Sequence, residues 1–271
     1  MSSLRIRNKL FLFCMFSLCI FQETFSQRSL KDRMAFLSSF FKDPYKIGSI
    51  TPSSVYLGRE ITKYVENSDK DKKIKVLEVG AGTGVFTESI VNKLAGNNYT
   101  LDVIEIDSDL SDILKKRFEK EIEVGKVNII CSSILDWAPE YYYDSIISGL
   151  PFNYFDCASV MEILNKYETM IKPGGGISYF EYFGMSKLKP YFLRGERKKD
   201  FKEMLSVIQE FKDRFQAEAK FVFRNILPAV VYHLKGIEDD SRQKICYNEA
   251  INSDISEGNE INLKEKDGRE E

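Results

Sequence analysis

The chain of 271 residues carries a formal net charge of −2 and a single histidine, His233. That length holds one large α/β domain with appendages. One histidine and five cysteines without C-x-x-C spacing argue against a metal centre, a disulfide framework and Ser-His-Asp or Cys-His catalysis.

The near-neutral total hides a segregation, because residues 236–271 hold eleven Asp/Glu against five Lys/Arg and leave the remainder at +4. At the other end, Arg5, Arg7 and Lys9 precede an apolar stretch from Leu10 to Phe21, followed by a polar run to Gln27. Residues 1–28 have the layout of a secretory signal peptide or an interfacial anchor, and their apolar stretch is short for a membrane span. Synthesis from Met34 would leave them outside the working protein. Residues 29–66 read as two helices. The first, over 29–42, aligns Leu30, Met34, Leu37 and Phe41 and flanks them with Lys31, Arg33 and Lys42. Such a face serves a membrane interface or an ordinary packed helix. The second starts at Thr51-Pro-Ser-Ser54 and turns Leu57, Ile61, Tyr64 and Val65 inward.

From 67 to 236 strand and helix signals alternate, which predicts a mostly parallel sheet with helices on both faces. The first strand runs into Gly80-Ala-Gly-Thr-Gly84 and then a helix. Glycine suits a backbone that turns tightly and approaches a ligand closely, and the following helix aims free N–H groups at the same spot. The run lacks the Gly-Lys-Ser/Thr ending of a phosphate loop, and Phe86 and Thr87 stand where a dinucleotide turn would place its last glycine. Glu105 ends the next apolar run, about twenty residues on, where such folds set a carboxylate on ribose hydroxyls. Together these predict a nucleoside-cofactor site.

Further along, Leu110, Ile113, Leu114 and Phe118 mark a helix, 127–131 and 144–148 mark strands, and Met161, Leu164, Tyr167, Glu168 and Ile171 mark a helix closed by Pro173-Gly-Gly-Gly176. A strand over 177–183 follows, then a helix burying Phe201, Met204, Leu205, Ile208, Phe211 and Phe215. The strands 221–224 and 229–234 are joined by so short a link that they must form an antiparallel hairpin. His233 reads as a structural histidine on the last strand. The acidic tail, 237–271, lacks apolar periodicity and reads as a solvated, disordered end.

Four stretches, Ile47-Gly-Ser-Ile-Thr-Pro-Ser-Ser54, Val76 to Thr87, Ile147-Ser-Gly-Leu-Pro-Phe152 and Arg224 to Tyr232, resemble S-adenosylmethionine-dependent methyltransferases of class I. Within that class they look like the bacterial phospholipid N-methyltransferases that convert phosphatidylethanolamine toward phosphatidylcholine. The resemblance implies a Rossmann-like α/β fold, a mostly parallel seven-stranded sheet ending in an antiparallel hairpin. It makes 67–236 the methyltransferase domain and 29–66 a lid over membrane and cofactor. It implies a cofactor site of Glu78, Gly80, Ala81, Gly82, Gly84, Glu105, Ile106, Ser133 and Ser148, with the first of these at the methionine end and Glu105 on the ribose. Asp107 is a secondary ribose candidate. Ser133 stands where the family usually has an Asp for the adenine amine, and Asp136 compensates only if its loop bends back. Gly149, Leu150, Pro151, Phe152 and Tyr154 are implied for the substrate pocket.

The ribosomal RNA adenine dimethyltransferases share the glycine turn but carry Asn-Leu-Pro-Tyr/Phe where this chain has Gly149-Leu-Pro-Phe152. Without the amide, the hydrogen bond that aligns an adenine amine is missing, so RNA adenine is the weaker substrate. A non-catalytic binding protein on the same fold is the third reading. Methyl transfer to an amine needs positioning rather than a nucleophilic side chain. The aromatics Phe152, Tyr154, Phe155, Tyr179 and Tyr182 fall at the carboxyl ends of the fourth and fifth strands, where they would hold an ammonium or, taken singly, pack in the core and at the edge. Lys187, Lys189, Arg194, Arg197, Lys198 and Lys199, interleaved with Leu188, Tyr191, Phe192 and Leu193, form the densest basic segment. With helix 29–42 this segment predicts an anionic phospholipid membrane as partner, on its cytoplasmic face if the leader does not export the chain. RNA phosphates would use the same charges, and a solvated loop would need no partner at all.

Overall fold

The computed structural model describes residues 52–66, 72–223 and 228–236; the leader, helix 29–42, the hairpin link 224–227 and the acidic tail lie outside them. Its strands are β1 (Ile74–Val79), β2 (Tyr99–Glu105), β3 (Val127–Cys131), β4 (Tyr143–Ser148), β5 (Ile171–Tyr182), β6 (Gln216–Val222) and β7 (Ala229–Lys235). Its helices are α1 (Pro52–Ile61), α2 (Val85–Lys93), α3 (Ser108–Arg117), α4 (Glu119–Glu123), α5 (Cys157–Met170), α6 (Met185–Phe192) and α7 (Gly195–Arg214). The sheet runs β3-β2-β1-β4-β5-β7-β6. The first five strands are parallel, and β7 pairs antiparallel with both β5 and β6.

Near-continuous burial along β1 and β2 follows from cover on both faces. One face packs Leu77, Val79 and Ile146 against Ile163, Tyr167 and Phe211, and the other packs Val76, Val103 and Ile147 against Leu57, Ile61 and Ile90. Succession reverses between β1 and β4, because β2 and β3 lie on one side of β1 while β4 and β5 lie on the other. The carboxyl ends of β1 and β4 therefore open the crevice in which α/β sheets bind ligands, and the loops leaving them begin at Gly80 and Gly149.

Several local expectations are corrected by packing. Helix α5 ends at Met170 and β5 starts at once, so Pro173-Gly-Gly-Gly176 lies inside the strand. Burying Ile171 beside Tyr143 prevails over the breaker signal, and the extra residues are taken up by a register shift opposite Tyr143–Ser145. Tyr64 lies beyond the end of α1 and is half exposed; its hydroxyl donates to Glu218 and its ring edge meets His233. Ile113 and Met161 are also exposed. The basic segment 187–199 folds as α6 and the first turn of α7. His233 is structural, with Nδ1 2.8 Å from the Ser178 hydroxyl.

A buried carboxylate that sequence patterning does not single out ties the sheet together. Asp102 accepts from the hydroxyls of Tyr143, at 2.6 Å, and Tyr141, at 2.9 Å, and from the Asn128 amide at 3.3 Å.

Candidate active site

Strand β1 delivers Glu78 and then the turn, in which Gly80, Gly82 and Gly84 all take positive φ. At Gly82 an added Cβ would meet nothing within 4 Å, so open space lies over the turn where a ligand would approach. Across it, Glu105 at the end of β2 accepts from the Gly82 N–H at 2.8 Å and from the Asp107 N–H at 3.0 Å. These bonds fix the carboxylate against the turn. Asp107 is occupied elsewhere: its Oδ1 caps α3, accepting from the N–H groups of Asp109 and Leu110 at 3.0 and 3.1 Å. Ala81 and Ile106 pack at the two strand ends, buried and half-buried respectively.

Glu78 is fully buried and neither carboxylate oxygen finds a well-formed hydrogen bond. Burial pushes its pKa up to about 8, against the pull of Thr87 and of Arg117, while Glu105 adds to the rise. Thr87, equally buried, faces this carboxylate, but its hydroxyl makes no well-formed hydrogen bond either. Leaving such groups unmet costs about 1–3 kcal/mol each. A polar or cationic group placed between Glu78 and the turn would meet that need, so the residues present fit a cofactor with a charged amino-acid end. Sequence reading overlooked Thr87, whose only signal is its position in the first turn of α2, beside Glu78 of β1.

The loop after β4 lies directly on this turn. Gly149 donates its N–H to the Val79 carbonyl at 2.8 Å, and a Cβ added there would sit 2.5 Å from the Gly80 carbonyl oxygen. Leu150 packs beneath Gly80. Ser148 is fully buried; its hydroxyl accepts from Tyr167 at 2.9 Å and from the Leu150 N–H at 3.3 Å. Pro151 leads into a single 3-10 turn, Phe152–Tyr154. In the loop after β3, Ser133 is buried and its hydroxyl accepts from the Leu135 N–H at 3.3 Å. The loop does turn back, through an Asp136 N–H bond to the Ser133 carbonyl at 3.1 Å, and leaves Asp136 exposed.

Of the five aromatics grouped by sequence, Phe152, Phe155 and Tyr179 are buried, while Tyr154 and Tyr182 are half-buried. Tyr179 stacks on Tyr232 with centroids 5.3 Å apart, and the Lys212 ammonium lies 3.4 Å over the Tyr232 ring. The protein's own cation fills that aromatic slot, its pKa lowered by burial despite the Glu181 carboxylate at 3.4 Å. An aromatic surface does open at the carboxyl edge, where Phe183, Phe221 and Phe223 are exposed: Phe183 meets Phe221 edge to face at 5.7 Å, and Phe221 stacks on Phe223 at 5.8 Å. Next to it in the chain, α6 exposes Leu188, Tyr191 and Phe192, and Lys187, Arg194, Arg197, Lys198 and Lys199 are exposed around them. Lys189 departs from that set and is buried. Among the described residues no cluster of three or more His, Cys, Asp or Glu is arranged for a metal ion, and no helix is long and apolar enough to cross a membrane.

Residues 30–170, more than half of the chain, match the ribosomal RNA adenine dimethylase family. The chain belongs to that family. It is therefore a class I methyltransferase that uses S-adenosylmethionine. Among curated relatives, the ornithine lipid N-methyltransferase of Singulisphaera acidiphila is 28% identical over 216 residues, 78% of this chain and 99% of that protein. The ribosomal RNA small subunit methyltransferase A of Campylobacter fetus subsp. fetus is 37% identical over 83 residues, 29% of this chain and 28% of its own length. The fold of this methyltransferase is shared with the N-methyltransferase NodS of Bradyrhizobium japonicum WM9, solved with S-adenosyl-L-homocysteine, at a TM-score of 0.54 and 13% identity, covering 75% of this chain and 98% of that one.

Proposed function

We propose that the enzyme N-methylates the primary amine of a membrane-lipid headgroup, phosphatidylethanolamine toward phosphatidylcholine, at an anionic membrane surface. The observation that carries this reading is the seat of Gly149. With the Gly80 carbonyl oxygen 2.5 Å from where a Cβ would stand, this backbone has no room for the asparagine with which adenine enzymes align a base. The relative that methylates ornithine lipid aligns over its whole length, whereas the ribosomal RNA relative aligns over less than a third of its own, and the exposed aromatic and basic edge suits a lipid interface.

In this reading Glu78 and the turn hold the methionine end of the cofactor, Glu105 its ribose, and the Ser133 loop its adenine. The cofactor supplies an electrophilic methyl group on a positively charged sulfur. The loop 149–155 holds the acceptor in line. The amine must arrive neutral: its lone pair forms the N–C bond as the C–S bond breaks with its electrons remaining on sulfur, and the proton of the product ammonium passes to water. Leu150, Phe152 and Phe155 are buried in the core and anchor the loop. The test is to incubate the full chain with methyl-labelled S-adenosylmethionine and vesicles of phosphatidylethanolamine or ornithine lipid, or with RNA. Label in phosphatidylethanolamine is expected. Label in ornithine lipid alone would correct the headgroup, and label in RNA alone or in no acceptor would overturn the reading.

A further inference from the structure

Helix α6 has two faces of different character. Lys187, Leu188, Tyr191 and Phe192 are exposed, Tyr191 at 83%, but Lys189 between them is only 2% exposed. Its Nζ donates to the backbone carbonyl of Asn153, and its ammonium lies 5.2 Å from the Tyr154 ring centroid and 4.7 Å from that of Phe201. An ammonium taken out of water is costly unless it is hydrogen-bonded, so Lys189 is not one more solvated charge of a basic segment. It joins α6 to the 3-10 turn that closes the loop 149–155. In that turn the Asn153 side-chain oxygen is itself buried without a hydrogen bond, an unmet acceptor that a small shift of the loop, or an incoming amine, would satisfy.

We propose that Lys189 is a positioning residue that transmits the docking of α6 on an anionic lipid surface to the acceptor loop 149–155. The inference rests on the reading above that this loop holds an acceptor amine at a membrane. The occupant is identified by charge and by shape: a row of exposed cations, Lys187, Arg194, Arg197, Lys198 and Lys199, surrounds exposed Leu188, Tyr191 and Phe192. Anionic headgroups attract the cations while the apolar side chains enter the interface. Lys199 is shared with Glu203 at 3.8 Å and Glu196 lies in the same stretch, so the attraction is carried mainly by the other four. Helix α6 is eight residues, about 12 Å long, and Pro190, whose ring fixes its φ, joins Lys189 directly to Tyr191. Seating Tyr191 and Phe192 in the interface therefore moves the Lys189 backbone with them, and the bond to Asn153 carries that movement into the loop.

The measurement is hydrogen exchange on the full chain with and without phosphatidylglycerol vesicles, which are anionic and offer no amine. In the native enzyme the vesicles should slow exchange at least threefold both over 186–193 and over 150–155. In Lys189→Met, protection should persist over 186–193 and vanish over 150–155, and Lys189→Arg should restore it. A triple change of Leu188, Tyr191 and Phe192 to Ser, all on the exposed face, should lose both protections together and keeps the test open should Lys189→Met fail to fold. S-adenosylmethionine affinity should be unchanged in Lys189→Met, while kcat on vesicles falls about tenfold. Loop protection that is unaltered in Lys189→Met, α6 protection without loop protection in the native enzyme, no protection at α6, or an equal loss of cofactor affinity would each overturn the coupling. A protected loop without methylation of any lipid would uphold the coupling and sink the proposed acceptor alone.

Discussion

A Cβ at position 149 would sit 2.5 Å from the carbonyl oxygen of Gly80, so the loop after β4 is packed backbone to backbone on the glycine turn after β1. The Gly149 N–H bond to Val79 holds that approach in place. In the proposed reading this contact joins the acceptor side of the site to the cofactor side through backbone atoms.

Gly149→Asn, which writes the adenine enzymes' residue into this chain, is expected to lose activity rather than gain a new substrate. Forcing the two backbones apart costs about 1–3 kcal/mol. The variant should show kcat/KM on lipid vesicles at least tenfold lower, with no label transferred to RNA. A variant that methylates RNA adenine would show that the amide alone, and not the space, sets the substrate.

Glu105→Gln removes a charged acceptor from the N–H groups of Gly82 and Asp107 and presents an amide donor to one of them. Hydrogen bonds to charged groups contribute about 1.5–3 kcal/mol, so the dissociation constant for S-adenosylmethionine should rise about ten- to a hundredfold. Isothermal titration measures it directly. Asp107→Ala should instead act on stability, by about 1 kcal/mol through the lost cap of α3, with the dissociation constant little changed.

Glu78 is expected to make both stability and cofactor binding depend on pH. Its folded pKa is raised, to about 8, so the folded chain keeps a proton that the unfolded chain has released. This stabilisation is complete below the ordinary carboxylate range, near pH 4.5, and is lost as pH rises through about 8. Glu78→Gln should therefore be relatively more stable than the native chain above pH 8, by a few kcal/mol, and indistinguishable near pH 4. With the positive end of the cofactor seated beside it, the carboxyl should ionise on binding. Calorimetry in buffers of different ionisation enthalpy should detect release of up to one proton near pH 7 in the native enzyme and none in Glu78→Gln.

Asp102→Ala leaves the hydroxyls of Tyr141 and Tyr143 without their buried acceptor. A loss of about 3 kcal/mol is expected from these two bonds to a charged group, lowering the melting temperature by roughly 6–12 °C in a chain of this size. Activity well below the transition should persist, because the network lies away from the crevice. A heat-sensitive enzyme of normal cofactor affinity is the outcome that calorimetry should record.

Phe221→Ser with Phe223→Ser should weaken sedimentation with anionic vesicles at least fivefold without changing cofactor affinity. Raising the salt from 0.1 to 0.5 M should weaken the native enzyme further, since the basic contribution is screened within about 10 Å at the lower salt. Unchanged vesicle binding in the double variant would remove the aromatic edge from the interface.

Much of the scaffold was legible because its signals are contiguous in the chain. Apolar runs of strand length alternate with helical faces between Ile74 and Ile171, and that alternation admits few arrangements other than a parallel sheet. The hairpin of β6 and β7 followed from a link too short for a crossover. The carboxyl half was harder to read locally: Pro173-Gly-Gly-Gly176 carries a strong breaker signal, yet the chain stays extended there because Ile171 gains burial beside Tyr143 on another strand. Tyr64 has helical spacing to Ile61 but lies past the end of the helix, where it can reach Glu218 on β6.

From the sequence by itself came the order of strands and helices, the glycine turn, the acid at Glu105 and the absence of an amide at position 149, all properties of neighbouring residues. Tertiary structure decided what those residues face. It packed Gly149 on the Gly80 carbonyl, filled the aromatic slot at Tyr179 and Tyr232 with Lys212, and turned Lys189 out of a solvated basic run onto Asn153. Periodicity reports whether a side chain points inward. Which group waits there depends on segments tens of residues away, brought into contact only by the closing of the sheet and its helices.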